Sequence, residues 1–398
     1  MRIKGLFCLF FIISVCFGCY PGFQKPPGDQ EGIALQVIPE GEWPDLEDDL
    51  AGKHLQQALD QSLSYLSSRR AGYKMRLGDR EITAQDLQAG LLLFSRLTRE
   101  PLSHPDLKAE LKKYFHLCQL GVRDQAVPLL ITGYYEPVLM GSRSPSQRFA
   151  CPVYREPDDL LVIDLRLFPK KNQGQKLIGR LKGKQVVPYY SRREIDRQGV
   201  LRDKALEILW VDDPLKLFFL HIQGSGEVIL EDGATLKLQY QSSNGQAYVP
   251  IGKELIKRGV LKSEEVSLQS IYAYLKEHPE IQDEILDLNP SYIFFREALN
   301  GPYGSLGFPL TAGRSLAMDL SLVPAGCLAW MEGVKPVVTH QGQISWWQPL
   351  SRWVSIQDSG GAIKGPGRAD LFWGKGPEAE MTAGHLKHKG NLYFLIKK

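Results

Sequence analysis

Hydrophobic positions change period twice along this chain, and the changes divide it. Leu55, Leu59, Leu63 and Leu66 recur at helical spacing. Thr83, with Asp86 three residues on, carries a capping signal for a second helix through Leu87, Leu91, Phe94 and Leu97. A third helix is expected after Pro105, with Leu107, Leu111, Phe115 and Cys118 on one side. At Val127 the texture changes. VPLLITGYYEP reads as a buried strand ending in an aromatic, carboxylate-bearing turn, and β-type patterning is expected from there to about residue 250. Within it, EVILEDGATLKLQY predicts a hairpin turning at Asp232-Gly233. Helical patterns return in IGKELIKRG and SLQSIYAYLKEH. After NPSYIFFREA and the turn-rich NGPYGSLGFP, β-type patterning resumes to the C-terminus. The domain containing GYYEP is therefore expected to be interrupted and completed again after about residue 300.

Composition narrows the class. The 398 residues exceed one ordinary core. A hydrophobic content of 43% with 23% charged residues is that of a globular protein. A net charge of +3 gives no footprint for nucleic acid. Arg2 and Lys4 precede an apolar run, GLFCLFFIISVCFG, of the length of a signal-peptide core. It ends at Gly18-Cys19 before a Pro/Gly-rich linker, the pattern of a bacterial lipoprotein leader with Cys19 as the lipidated residue. Cys16 and Phe17 sit where smaller or aliphatic residues are commoner, so an ordinary secretory peptide is the alternative. Tyr20, in place of aspartate, points to the outer membrane. Cys118, Cys151 and Cys327 have neither disulfide-framework nor zinc spacing and are expected as small apolar residues.

Several familiar chemistries are excluded by spacing. His385 and His388 lack a metal-binding partner pattern, so no metal is expected. Ser225, between Gly224 and Gly226, does not form a nucleophile elbow. Gly360 and Gly365 have P-loop spacing, but Pro366 stands where the lysine belongs. Polar–aromatic clusters remain: TGYYEP, HIQGSGE, SSNGQAY, GRSLAMDLSLVPAG and QDSGGAIKGPGRADLFWG. Glycine admits close approach to a ligand, aromatic faces suit pyranose rings, and amides and hydroxyls bond sugar substituents. A free aspartate has a pKa of ~3.9, so about one in a thousand is protonated at neutral pH. A general acid must be raised by burial, and Asp370, directly before Leu371, Phe372 and Trp373, is the best placed. A turn carboxylate capping loop amides remains an alternative for Asp370. For Asp319 and Asp358, bracing of backbone N–H groups is the expected role.

Together these motifs resemble the MltA family of membrane-bound lytic murein transglycosylases, from about residue 127 to the C-terminus. The resemblance implies a mainly β fold with N-terminal helices: a double-psi β-barrel domain interrupted by an inserted β-rich domain. The expected division is a signal peptide over 1–18, a lipidated N-terminus and linker over 19–45, barrel segments over 46–137 and 301–398, and the insert over 138–300. The implied reaction cleaves the β-1,4 bond between N-acetylmuramic acid and N-acetylglucosamine without water and leaves 1,6-anhydromuramyl ends. Asp370 is the implied catalytic acid, then base, with Asp319 and Asp358 in support. Thr132, Tyr134, Glu136, Gln223, Gly224, Ser225, Asn244, Lys364, Phe372 and Trp373 are the expected substrate-binding residues. No cofactor is expected. Peptidoglycan glycan strands are the expected partner, on a monomer lipid-anchored at the periplasmic face of the outer membrane, with a cell-wall synthesis or turnover complex as its setting. The competing classes are a two-carboxylate glycoside hydrolase, with Glu136 or Asp319 partnering Asp370, and a non-catalytic murein-binding lipoprotein.

Overall fold

A computed structural model describes residues 32–70, 72–122, 125–168, 176–339 and 343–398, and Gly32–Lys398 form one compact unit. The leader and Cys19 lie outside the described residues.

The C-terminal third supplies most of a closed barrel. Strand Leu328–Val338 pairs antiparallel with Ile344–Asp358 over a long ladder, and Ile344–Asp358 pairs parallel with the short Ser315–Ala317. Ser315–Ala317 pairs with Arg368–Lys375, which in turn runs parallel to Leu129–Glu136, a strand from far upstream. Lys387–Lys397 joins Leu129–Glu136 back to Leu328–Val338 and closes a ring of six strands. Closure removes the open edges that a sheet of this size would otherwise expose. Two further strands, Phe115–Val122 and Ile33–Val37, extend the sheet outward from Lys387–Lys397.

The N-terminal helices cover this barrel. Leu55–Ser67 and Ala84–Leu97 bury Leu59, Leu66, Leu91 and Phe94 in the same core as Trp330, Trp353 and Leu371. The expected capping box at Thr83 and Asp86 is present. The third helix, His104–Tyr114, is shorter than its apolar pattern suggested. Phe115 and Cys118 belong to the following strand, where pairing with Lys387–Lys397 outweighs the local helical period.

A second sheet is built between the two halves of the barrel, in the order Ile293–Ala298, Thr235–Ser243, Ser225–Leu230, Val138–Ser142, Glu207–Val211, Cys151–Tyr154. The hairpin at Asp232-Gly233 is present, with Gly233 at φ +82°. The region is less purely β than its patterning implied. Pro214–Gln223 is a helix with Leu215, Leu217, Phe218, Phe219 and Leu220 all buried. A run apolar on nearly every side has no period to distinguish helix from strand. Its helical signal lay at the start, where Asp213 accepts from the N–H groups of Leu215 and Lys216 and Pro214 follows. Pro279–Asp287 is a further helix that the patterning did not separate.

Two buried ion pairs fix the barrel to the segment in front of its helices. Arg314, with no solvent exposure, donates two hydrogen bonds to Asp48 at 2.6 and 2.9 Å, and others to the carbonyls of Lys53 and Trp353. Arg352 makes a matching two-pronged contact with Asp49. Burial raises the Asp48 carboxyl, but the Arg314 bonds outweigh it and hold the group below the usual carboxylate range. Asp48→Ala leaves the Arg314 guanidinium buried without its counter-charge and should cost about 3–5 kcal/mol, read as the shift in a urea-unfolding curve. A loss below 1 kcal/mol would show that the pair does not hold the segment.

Candidate active site

The site forms where the upstream strand Leu129–Glu136 meets Arg368–Lys375. Their parallel register sets Thr132 beside Asp370 and Tyr134 beside Phe372. Side chains alternate along a strand, so Thr132 and Tyr134 share one face, as do Asp370 and Phe372. The Thr132 hydroxyl donates to Asp370 Oδ1 at 2.9 Å. The Tyr134 and Phe372 rings lie 5.2 Å apart. Ala369 and Leu371 point the other way, into the barrel core.

Trp373 also belongs to that other face, which corrects the expectation that it shields Asp370. It packs with Tyr135, Ala379 and Ala383 and lies over Gly133. A Cβ at residue 133 would sit 2.8 Å from Trp373 Nε1 and from Ala383 Cα, so only glycine allows this approach. Of the aromatic residues after Asp370, Phe372 alone shares its face, and Tyr134 supplies the second ring.

Asp358 ends the long Ile344–Asp358 strand close by. The Tyr134 hydroxyl donates to its Oδ2 at 2.8 Å, and the N–H groups of Ser305 and Ser359 donate to Oδ1, each at 2.8 Å. Burial pushes its carboxyl up, against the pull of these donors. Asp319 stands further back. Its carboxylate accepts from the N–H groups of Gly365 and Ser321 and from the Ser321 hydroxyl, pinning the glycine-rich loop that delivers Asp370. Burial opposes, but these bonds and nearby Lys364 hold Asp319 below the usual range. Both aspartates therefore brace backbone N–H groups, as their strand-end positions suggested.

Asp370 differs from both. Burial raises it to about 6, opposed by the Thr132 bond and by Arg368 and assisted by the neighbouring charge of Asp358. No hydrogen bond among the described residues reaches its Oδ2. With a pKa near 6, roughly a tenth of the carboxyls are protonated at pH 7, about a hundredfold more than for a free aspartate. The arrangement suits a group that gives a proton from one oxygen and later takes one back.

The remaining expected residues are spread along and around this face. Gln223 ends the Pro214–Gln223 helix, and its side-chain carbonyl accepts from the Tyr135 N–H at 3.1 Å. Gly224 caps that helix in the left-handed region at φ +80°, and Ser225 opens the next strand. Glu136 lies at the far end of its strand, about 13 Å from Thr132 at ~3.3 Å per residue. It is 3% exposed, its carboxyl raised by burial, beside Glu227, Lys237 and Lys375. Asn244 is not available to a ligand. It is 1% exposed, and its carboxamide bonds the carbonyls of Tyr190 and Pro290 and the N–H groups of Gln246 and Tyr292. Lys364 is exposed on the loop. The sequence reading missed Ser305, whose contribution is a backbone N–H, and the Lys375–Glu227 ion pair at 2.9 Å. Composition could mark the first only as part of a turn. Among the described residues no three histidine, cysteine, aspartate or glutamate side chains converge to hold a metal ion.

Comparison with known proteins agrees with this architecture. Residues 130–296 match the MltA specific insert domain and residues 314–396 match the 3D domain. The membrane-bound lytic murein transglycosylase A of Vibrio cholerae is 34% identical over 280 residues, covering 70% of this chain and 68% of the relative. That of Escherichia coli K12 is also 34% identical, covering 66% and 64%. A membrane-bound lytic murein transglycosylase from Agrobacterium tumefaciens superposes with a TM-score of 0.75 at 30% identity, over 92% of this chain and 98% of the other. Escherichia coli MltA with bound chitohexaose gives 0.68 at 25% identity, over 92% and 96%.

A raised acid carries a consequence for stability. The folded-state pKa of Asp370 lies above its unfolded value, so its stabilising contribution is full below about pH 4 and is lost as pH rises through about 6. Asp370→Asn removes the buried charge. It should raise stability at pH 7.5 by up to about 3 kcal/mol, with the gain vanishing near pH 4 in paired thermal-unfolding curves. An equal effect at both pH values would contradict the desolvated carboxylate.

Proposed function

The chain belongs to the MltA family of membrane-bound lytic murein transglycosylases, and from that premise we propose that Asp370 alone carries its proton transfers. Protonated Asp370 gives its proton to the glycosidic oxygen between N-acetylmuramic acid and N-acetylglucosamine. The C1–O bond breaks and positive charge develops on the muramyl ring. The C6 hydroxyl of the same sugar closes on C1, and the Asp370 carboxylate takes the proton that this hydroxyl releases. One 1,6-anhydromuramyl end and one sugar hydroxyl result, no water is consumed, and the acid is restored. Holding the C6 oxygen near C1 replaces an encounter with solvent by an intramolecular step.

The observation that carries this reading is the desolvated Asp370 carboxyl, which has one oxygen on Thr132 and, unlike Asp358 and Asp319, no backbone N–H donor among the described residues. A two-carboxylate hydrolase needs its second group about 5–5.5 Å away for retention or 6.5–9.5 Å for inversion. Glu136 sits at the far end of its strand, where Glu227, Lys237 and Lys375 surround it. Asp319 is committed to the Gly365 loop and Asp358 to three donors. Tyr134, Gln223, Gly224 and Ser225 are proposed to seat the glycan, with buried Phe372 packed against the Tyr134 ring. The insert over 138–300 is proposed as the second wall of the groove, opposite a double-psi barrel. Lipidation at Cys19 and residence at the periplasmic face of the outer membrane complete the proposal.

Digestion of purified murein tests it. Mass spectrometry should find anhydromuramyl ends with no oxygen from labelled water. Asp370→Asn should lower the rate at least a thousandfold while substrate still binds. Reducing muramic ends carrying solvent oxygen would establish hydrolysis and end the one-carboxyl account.

A further inference from the structure

The face of the barrel that carries Asp370 also carries cations, and strand register places them there. Leu129–Glu136 is paired along both edges, so Thr132 stands opposite Asp370 on one side and Lys387 on the other. One pleat along, Leu130 stands between Arg368 and Lys389. Paired residues share a face, and so do residues two apart on a strand. Asp370, Thr132 and Lys387 therefore form one row, with Arg368, Leu130 and Lys389 in the next. The alternate residues Leu129, Ile131, Ala369 and Leu371 are buried in the barrel core, so both rows face away from it. Arg368 is half-buried and the two lysines are exposed. The Cα atoms of Arg368 and Asp370, two residues apart on one strand, are separated by roughly 7 Å.

Arg368 stands apart from the two other arginines after residue 301. Arg314 and Arg352 are buried, and each grips an aspartate. The Arg368 side chain makes no hydrogen bond or ion pair among the described residues, and neither do those of Lys387 and Lys389. A cation beside a general acid also works against it. Arg368 draws the Asp370 carboxyl down, in opposition to burial. An anion seated on Arg368 would give it a partner and offset that pull.

The chemistry of murein names the anion. The bond in question leaves from C1 of N-acetylmuramic acid, which differs from N-acetylglucosamine by a lactyl ether on O3. The lactyl arm ends in a carboxylate where it is free, or continues into a stem peptide that bears carboxylates. Either way the negative charge is tethered to the ring that Asp370 must meet and is absent from the neighbouring sugar. A guanidinium fork matches a carboxylate with two parallel N–H donors. We propose that Arg368, with Lys389 beside it, binds a carboxylate on the muramyl lactyl arm and so selects N-acetylmuramic acid at the cleaved position. The inference rests on the murein reading of the site and names what that site distinguishes.

Calorimetry on the full-length chain carrying Asp370→Asn, where no bond is cut, tests it. The probes are tetrasaccharides of alternating N-acetylglucosamine and N-acetylmuramic acid in three forms: free lactyl carboxyls, the same carboxyls as methylamides, and attached stem peptides. Adding Arg368→Gln should weaken binding of a carboxylate probe about tenfold, the loss of one charge-assisted bond, and of the methylamide probe less than about twofold. Arg368→Lys should restore part of the loss. Weakening with the free lactyl probe assigns the carboxylate of the arm itself, and weakening confined to the stem probe assigns a stem carboxylate; both support the proposal. Equal weakening for all three probes would show a structural role, and none for any probe would show an idle surface arginine; either overturns it. Analysis of murein products separates this inference from the reaction. Reducing ends together with an Arg368-dependent carboxylate preference would end the transglycosylase reading and keep the inference. Anhydromuramyl ends without that preference would do the reverse, and a chain that binds none of the probes removes both.

Discussion

One parallel strand pairing holds the chemistry together. Thr132 and Asp370 stand 238 residues apart, and only the register between Leu129–Glu136 and Arg368–Lys375 makes them neighbours. A slip of one residue would turn Asp370 into the barrel core and Leu371 outward. The register is held from both sides: Lys387–Lys397 pairs the other edge of Leu129–Glu136, and Ser315–Ala317 pairs the other edge of Arg368–Lys375. Gly133 lets Trp373 close over the join from the opposite face.

Three aspartates near this join show how environment assigns roles to one side chain. Asp319 accepts from the loop and is held as a stable anion. Asp358 is deeply placed but fully occupied by donors, including a tyrosine that burial keeps protonated. Asp370 has one hydroxyl partner and the dry surroundings of Tyr134 and Phe372, so its ionised form is poorly supported. That poor support costs stability at neutral pH and is what makes the group useful as an acid.

Much of this was legible in the chain. The capping box at Thr83, the Asp232-Gly233 turn and the strand opening at Leu129 each rest on local rules, and each is present in the fold, although GYYE, expected as a turn, continues that strand to Glu136. Asp370 stood out because large apolar residues follow it, although the reason was only half right. Strand alternation sends Leu371 and Trp373 away, and the second ring over the site comes from Tyr134, which no local rule could assign. The same limit explains Asn244. Asn-Gly in a polar–aromatic stretch reads as a ligand contact, whereas three distant backbone partners and the nearby Gln246 N–H consume its side chain. Phe115 and Cys118 likewise followed a helical period until pairing with the C-terminal strand overrode it. Local signals carried the elements; long-range register decided which side chains meet.

The most direct test of the account is titration of the Asp370 carboxyl itself, by difference infrared spectroscopy of the intact protein against Asp370→Asn. The carboxyl band should titrate near pH 6 and move to higher pH in Thr132→Val, which removes the one hydroxyl donor to the ionised form. A midpoint near 4 that is indifferent to Thr132 would contradict a desolvated acid poised by that single bond.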